Sequence, residues 1–316
     1  MTNEDIAEHT TACLQLAILL EINAPKPGNI HGNAEFHKTS YEHFLASTVA
    51  IAPSVKTAAT KGIQIAEGKL SFADVGIGKI IKDSIERINF WQHGGNTLLG
   101  TILLLTPIAV AAGKTLKENN GIINLEKLRE NTKLVTTSTT PEDAVSVYEA
   151  IDIAKPGGLN RAPKFDATEP SSKHKILETG TTLFDVFKIS ASYDSISREW
   201  INNYPVVFDV SYPFLQKELE RRYNINDAIV HTFLRLLSEN PDTLIARKAG
   251  LTKAEEISHQ ALRVLECCRL STQNGKEALA EFDKQLRDPE NKLNPGTTAD
   301  LITATLALLV LNGYRP

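Results

Sequence analysis

Cysteine is scarce in this sequence, and the common cofactor-binding signatures are absent. The three cysteines, Cys13, Cys267 and Cys268, form no Cys-x-x-Cys pair. Because cysteines adjacent in sequence rarely bridge, neither a disulfide framework nor a zinc site is predicted. The sequence has no Gly-x-Gly-x-x-Gly and no Gly-x-x-x-x-Gly-Lys-Ser/Thr motif, nor does it alternate strand patterns with crossover helices. Rossmann and P-loop folds are therefore disfavoured.

An excess of basic charge is also lacking. The chain has 34 Lys and Arg against 38 Asp and Glu, a formal net charge of −4, so neither nucleic acid nor an anionic membrane is expected as a partner. The N-terminal Met-Thr-Asn-Glu-Asp has acids where a signal peptide needs basic residues, which predicts a cytoplasmic location. The longest apolar run is shorter than the roughly 20 residues of a membrane span and contains Pro107.

That run belongs to His93–Gly113, a segment with two unlike halves. From Leu98 to Ala112 nearly every residue is apolar or small, which predicts a helix buried on all sides at the centre of the fold. The preceding Gly94-Gly-Asn-Thr97 leaves backbone N–H groups free at the start of this helix, where an anion such as a phosphate is favoured. A tight turn with a capping residue is the alternative reading of these four residues.

Helical periodicity continues along most of the chain. The predicted helices cover residues 4–23 with Asn3 as cap, 41–62 with a kink at Pro53, 71–91, 124–134, 144–154, 183–204, 212–223, 227–239, 255–273 and 276–287, and a last helix opens within 294–301 and ends at Gly313. Residues 206–210 are predicted as extended loop or buried helix end, and 159–180 as a long loop that is either a lid or disordered. The fold class is predicted to be all-α, a multi-helix bundle around buried apolar helices, in one large domain covering 1–316.

The C-terminal segment Asn294–Leu301 repeats the arrangement of the central one. A turn rich in small residues and hydroxyls leads into a second very apolar helix, and we expect the two turns to be neighbours in space. Hydroxyl, amide and carboxylate groups recur at these and other turns, which is the composition that a magnesium-nucleotide site requires. Oxygen ligands hold Mg²⁺, and backbone N–H groups with Lys or Arg hold phosphates.

Four blocks of sequence together resemble one enzyme family. They are Glu21 with Pro25-Lys-Pro-Gly28, Gly95-Asn-Thr97 with its apolar helix, Asp242-Thr243 with Arg247, and Pro295-Gly-Thr-Thr-Ala-Asp-Leu301. Their order and character are similar to the triphosphoribosyl-dephospho-CoA synthase family, across nearly the whole chain. The resemblance implies a helical enzyme that uses ATP and a divalent metal. Such a transferase displaces adenine from C1′ of ATP and joins the triphosphoribosyl group to the 2′-hydroxyl of dephospho-CoA.

The resemblance and the chemistry together nominate site residues. Breaking an N-glycosidic bond requires a carboxylate to stabilise the ribosyl cation and a general acid for adenine. The nominated catalytic residues are Asp300, Asp242 and Glu21, the Mg²⁺ ligands are Glu21, Glu35, Asp242 and Asp300, and the nucleotide-binding residues are Lys26, Gly28, Asn96, Thr97, Arg247, Thr297 and Thr298. Lys26 and Arg247 are assigned to the triphosphate, and Asn96 with Thr97 to phosphate or ribose. A homodimer is a candidate assembly.

Two departures from the bacterial pattern leave alternatives open. Bacterial members of the family place His-Lys after the Asn-Thr pair, whereas this chain has Leu98-Leu99. That loss favours a non-catalytic nucleotide-binding helical module as one alternative. The segment from Thr139 to Leu159 resembles the archaeal branch, which favours a second alternative, a ribosyl or phosphoribosyl transfer step in the biosynthesis of another cofactor, such as a methanopterin-like pterin.

Overall fold

A computed structural model describes residues 1–159, 162, 164–221, 224–267 and 272–316, with the side chain of Cys267 left out. Within these ranges the chain is helical, and the one β feature is a single bridge between His31 and Ala34. The helices are α1 (Asn3–Asn23), α2 (Tyr41–Ala50), α3 (Ala52–Ala66), α4 (Ile77–Trp91), α5 (Leu99–Glu118), α6 (Leu125–Thr137), α7 (Pro141–Ala154), α8 (Ser171–Thr179), α9 (Leu183–Ser190), α10 (Ser195–Ile201), α11 (Tyr212–Arg221), α12 (Ile225–Glu239), α13 (Thr243–Ala249), α14 (Leu251–Cys267), α15 (Gln273–Leu286) and α16 (Gly296–Leu311). The predicted all-α class is confirmed.

Helix α5 is the centre of the bundle, as predicted. It contacts α1, α3, α4, α6, α10 and α16, and it is buried on every side because it has no polar face. Within the described ranges it is the one helix long and apolar enough to cross a membrane, but 89% of that stretch is buried inside the protein. Gly62 and Gly113 let α3 approach it closely, since a Cβ on either would overlap a backbone carbonyl of the other helix.

Pro107 interrupts the hydrogen bonding of α5, and Trp200 compensates for it. A proline has no N–H, so the carbonyl of Leu103, four residues earlier, loses its helical donor. The buried Trp200 indole donates to that carbonyl at 2.9 Å, and the Tyr204 hydroxyl donates to the next carbonyl, of Leu104, at 3.0 Å. Helix α10 and the segment after it are thereby anchored to the central helix.

This compensation makes a testable prediction. Trp200→Phe leaves the buried Leu103 carbonyl without a donor, which is expected to lower the free energy of unfolding by about 1–3 kcal/mol. Pro107→Ala restores an N–H for that carbonyl, so it should recover part of this loss in the Trp200→Phe background. Urea unfolding of the two single variants and the double variant measures the coupling. An identical effect of Pro107→Ala in both backgrounds would show that the two residues do not share the carbonyl.

Several predicted helix boundaries are wrong for local reasons. Thr2, not Asn3, caps α1, because its side chain accepts from the Asp5 N–H. The predicted helix 41–62 is two helices that meet at Ile51, with Pro53 in the first turn of the second. The segment from Ser71 forms only a short 3₁₀ turn, since Gly76 takes a left-handed φ of 64° and α4 begins after it.

Further differences lie in the second half of the chain. The predicted helix 183–204 divides into α9 and α10. The predicted loop 159–180 contains α8. Residues 206–211 form a π-helix that leads directly into α11, so of the two alternatives, extended loop or buried helix end, the helical one is nearer to the structure. Glu199 stabilises the start of this π-helix, because its buried carboxylate accepts from the N–H groups of Val206 and Val207. Three predictions fall on residues outside the described ranges. They concern Cys268, Pro163 and the predicted helix end at Tyr223. The predicted helix 255–273 also runs through residues 268–271, which the structure does not describe.

Candidate active site

A cavity of about 940 Å³ opens where α5 and α16 begin. Its wall comes from the turn after α1, the turn before α5, the end of α7 and the segment after it, α9 and α10, α13, and the turn before α16. Six residues nominated from the sequence line this cavity: Glu21, Asn96, Thr97, Arg247, Thr297 and Asp300. The bundle therefore brings together turns that are far apart in the sequence.

The N-terminal parts of α5 and α16 touch, which confirms the predicted proximity of the two segments. Asp300 Oδ1 accepts from the Thr101 hydroxyl at 2.6 Å. Gly100 provides the space for this carboxylate, because a Cβ there would overlap Asp300 Oδ2. Gly100 and Thr101 were not nominated from the sequence, although their position in the first turn of the helix that follows Asn96-Thr97 was a usable signal.

The Asp300 carboxyl is held in an unusual ionisation state. Its pKa is raised to about 8: burial is the main cause, the nearby charges of Glu21 and Asp242 add to it, and the Thr101 hydrogen bond partly offsets it. A carboxyl with this pKa is largely protonated at neutral pH and can donate a proton. Asp300 and Glu21, both on the cavity wall, are called the acidic pair below.

Lys26, nominated for the triphosphate, points into the protein and away from the cavity. Its side chain is 0% exposed, and Nζ lies 2.9 Å from Glu21 Oε1. Nζ also donates to the carbonyls of Glu21 and Ala24. An ammonium group has three donors, and these three acceptors use all of them. Lys26 is not among the residues lining the cavity.

Asp242, nominated as a catalytic residue and metal ligand, has its carboxylate surrounded by hydrogen-bond donors of the protein. As the N-cap of α13, its Oδ1 accepts from the N–H groups of Leu244 and Ile245 at 2.8 and 3.1 Å. Oδ2 accepts from the N–H and hydroxyl of Thr298 at 2.7 and 2.8 Å. A carboxylate has about four acceptor positions; all are filled, so Asp242 and Thr298 tie α13 to α16 behind the cavity.

The remaining nominated residues divide between the wall and the surroundings. Asn96 Oδ1 accepts from the Leu99 N–H at 3.1 Å, which gives Asn96 a capping function at the start of α5. The Thr97 hydroxyl lies 2.8 Å from that of Ser47, and the Thr297 hydroxyl accepts from Thr243 at 3.3 Å. These contacts orient side chains that line the cavity and leave acceptor capacity on each hydroxyl.

Gly28 and Glu35 lie outside the lining of the cavity. Gly28 has a φ of +71°, and an added Cβ would lie 2.8 Å from Leu286 Cβ, so its role is in shaping the turn. Glu35 is exposed and accepts from the Tyr41 N–H. In the described ranges no three His, Cys, Asp or Glu residues are arranged to hold a metal ion. The nominated four-carboxylate Mg²⁺ site is therefore not assembled.

Among the described residues, five basic ones line the same cavity, and the sequence predicted only one of them. We call Lys155, Lys164, Arg198, Arg247 and Lys248 the basic wall. Arg247 forms an ion pair with Asp194, and Lys248 Nζ donates to the Asn291 carbonyl at 2.9 Å. Burial lowers the pKa of Lys248. The turn Pro156-Gly-Gly158 after Lys155 was the available signal, since its glycines admit the Lys248 side chain.

Comparison with known proteins identifies relatives of the whole chain. The family model described as ATP:dephospho-CoA triphosphoribosyl transferase (CitG) matches residues 7–316. A 2-(5''-triphosphoribosyl)-3'-dephosphocoenzyme-A synthase of Klebsiella pneumoniae is 31% identical over 93 residues, which are 29% of this chain and 30% of that protein. A Vibrio cholerae protein provisionally given the same name is 24% identical over 292 residues, 92% of this chain and 83% of its own.

A crystal structure also shares the fold. The Archaeoglobus fulgidus protein provisionally described as a triphosphoribosyl-dephospho-CoA synthase superposes with a TM-score of 0.61 over 86% of this chain and 100% of its own. At 21% sequence identity, this likeness shows a common helical architecture and nothing finer.

Proposed function

The chain belongs to the ATP:dephospho-CoA triphosphoribosyl transferase family, and on that premise we propose that it displaces adenine from ATP and joins the triphosphoribosyl group to the 2′-hydroxyl of dephospho-CoA. The observation that carries this proposal is one cavity that combines the acidic pair with the basic wall. Transfer at C1′ of ATP needs both, because a cation develops on the ribose while the triphosphate remains an anion.

The basic wall suits the triphosphate. Lys155, Arg247 and Lys248 all line the cavity, and cationic side chains are among the groups that hold phosphates. Arg247 is paired with Asp194, so this guanidinium is oriented before the nucleotide arrives. If the triphosphate binds to the basic wall, the ribose and adenine of the same ATP would point toward the acidic pair.

The acidic pair suits the chemistry at C1′. In the proposed reaction the C1′–N9 bond breaks, and adenine leaves after it receives a proton from Asp300, whose raised pKa keeps that proton available at neutral pH. The Glu21 carboxylate faces the positive charge that develops on the ribose. The acceptor oxygen then bonds to C1′ and gives its proton to the Asp300 carboxylate. Asp300 returns to its initial state, and the acceptor proton balances the one carried away by adenine.

We further propose that Mg²⁺ accompanies the ATP phosphates. Mg²⁺ keeps several waters and binds through phosphates and one or two carboxylates. The four nominated carboxylates do not form one metal-binding cluster, so phosphate oxygens and water would supply most of the ligands of Mg²⁺. Bound in this way, the ion would neutralise part of the charge of the triphosphate.

The experiment is an adenine-release assay with a panel of acceptors. With ATP, Mg²⁺ and dephospho-CoA, we expect one adenine per product, and a product mass equal to the two substrates minus adenine. Reactions without an acceptor, and with a pterin bearing a free hydroxyl, are the comparison arms. Release only with the pterin would favour transfer to another cofactor precursor. ATP binding with no release in any arm would favour the non-catalytic module.

A further inference from the structure

Lys26 is a fully buried charge that is paired with Glu21. A lysine is almost never fully buried unless its charge is paired, and an apolar residue of similar volume would often stabilise the fold as well or better. Lys26 Nζ lies 2.9 Å from Glu21 Oε1 and 3.1 Å from the Ala24 carbonyl. Stability of the fold alone therefore does not account for a lysine at this position.

The turn that carries Lys26 is held rigidly. Pro25 and Pro27 flank the lysine and restrict the backbone on both sides. Helix α15 and the residue that follows it fix the far end of the turn: Asp283 Oδ1 accepts from the Gly28 N–H at 2.8 Å, and Arg287 donates to the Asn29 carbonyl at 2.8 Å. A rigid support of this kind holds the Lys26 ammonium, and with it one oxygen of Glu21, in one place.

We propose that Lys26 is a positioning residue that holds the Glu21 carboxylate at the cavity wall, where it faces the ribosyl group, and that Lys26 makes no contact with the triphosphate. This inference rests on the proposed function, because it assigns Lys26 a task in the same reaction. It also gives the Pro25-Lys-Pro-Gly28 turn a purpose different from the one that its resemblance to a nucleotide-binding block implied.

Separate effects on kcat and on KM for ATP distinguish a Lys26 that positions Glu21 from a Lys26 that binds the triphosphate. If Lys26 acts through Glu21, Lys26→Met should lower kcat for adenine release at least about a hundredfold and leave KM for ATP within about threefold of the parent. Lys155→Met, on the basic wall, is the comparison variant and should raise KM for ATP at least about tenfold. A tenfold rise in KM for Lys26→Met would instead place Lys26 on the triphosphate and overturn the proposal.

A double-mutant cycle with Glu21→Gln tests whether Lys26 acts through Glu21. Effects of residues that act as one unit are not additive, so Lys26→Met should cost no further kcat in the Glu21→Gln background. This background also removes the unpaired buried charge that could prevent Lys26→Met alone from folding. A further tenfold loss of kcat in the double variant would contradict the proposal. Adenine release by the parent protein tests the proposed function separately, so the two failures are distinguishable.

Discussion

Asp300→Asn is expected to lower adenine release at least about a hundredfold, equivalent to about 2.7 kcal/mol of activation free energy. Asparagine has nearly the same shape and keeps an acceptor for the Thr101 hydroxyl, but its amide is too weak an acid to protonate adenine and too weak a base to take the proton of the acceptor hydroxyl. The variant should therefore fold as the parent does. The measurement is kcat for adenine release beside the melting temperature, and activity within a few-fold of the parent would remove Asp300 from the mechanism.

Two other aspartates serve as matched controls. Asp227 is exposed in the first turn of α12, so Asp227→Asn should cost about 0.3–1 kcal/mol through the helix dipole and leave catalysis unchanged. Asp242→Asn places an NH₂ group against N–H donors, so it should destabilise the protein. Asp300 lies beyond the first turn of α16, where the dipole effect is weak.

The same Asp300→Asn variant gives a pH-dependent readout of stability. Burial raises the pKa of Asp300 from 3.8 to about 8, so between these values the folded protein binds a proton that the unfolded chain has lost. Its contribution to stability therefore falls as pH rises from about 4 to 8. Asparagine does not titrate. Between pH 5 and 8.5 the free energy of unfolding of the variant should therefore rise relative to that of the parent by at least about 1.4 kcal/mol, the equivalent of one pKa unit. Urea unfolding at both pH values checks this; a constant difference contradicts the raised pKa.

The largest effect on folding is expected from Leu104→Asp. Leu104 is 0% exposed in the middle of α5, where helices pack on every side, so an aspartate there would be a charge without a partner. The cost should exceed about 4 kcal/mol, a large part of the stability of a typical domain. We expect no soluble, cooperatively folded protein, as judged by soluble yield and thermal unfolding.

Leu134→Asp is the matched control for this substitution. Leu134 also lies in a helix, α6, but it is 45% exposed, so the carboxylate remains in water. This variant should be soluble and melt within a few degrees of the parent. If Leu104→Asp behaved in the same way, α5 would not be the buried centre of the fold.

The candidate site shows how far residue identity predicts function. Asp300 and Glu21 were nominated as acids next to buried helices, and both line the cavity. Asp242 was nominated on the same grounds, yet its acceptor positions are all filled by two helix N-termini. The difference lies in which donors surround each carboxylate, and those donors come from segments distant in the sequence.

The sequence by itself determined the helical class, the buried central helix and the proximity of the turns before α5 and α16. Periodicity and apolarity act between near neighbours, and a helix without a polar face must lie inside. Only the tertiary structure decided that Lys26 turns inward to Glu21, and that basic residues from several separate segments form one wall. Side-chain direction and the meeting of remote charges depend on how the helices pack, because burial and pairing are properties of the assembled fold.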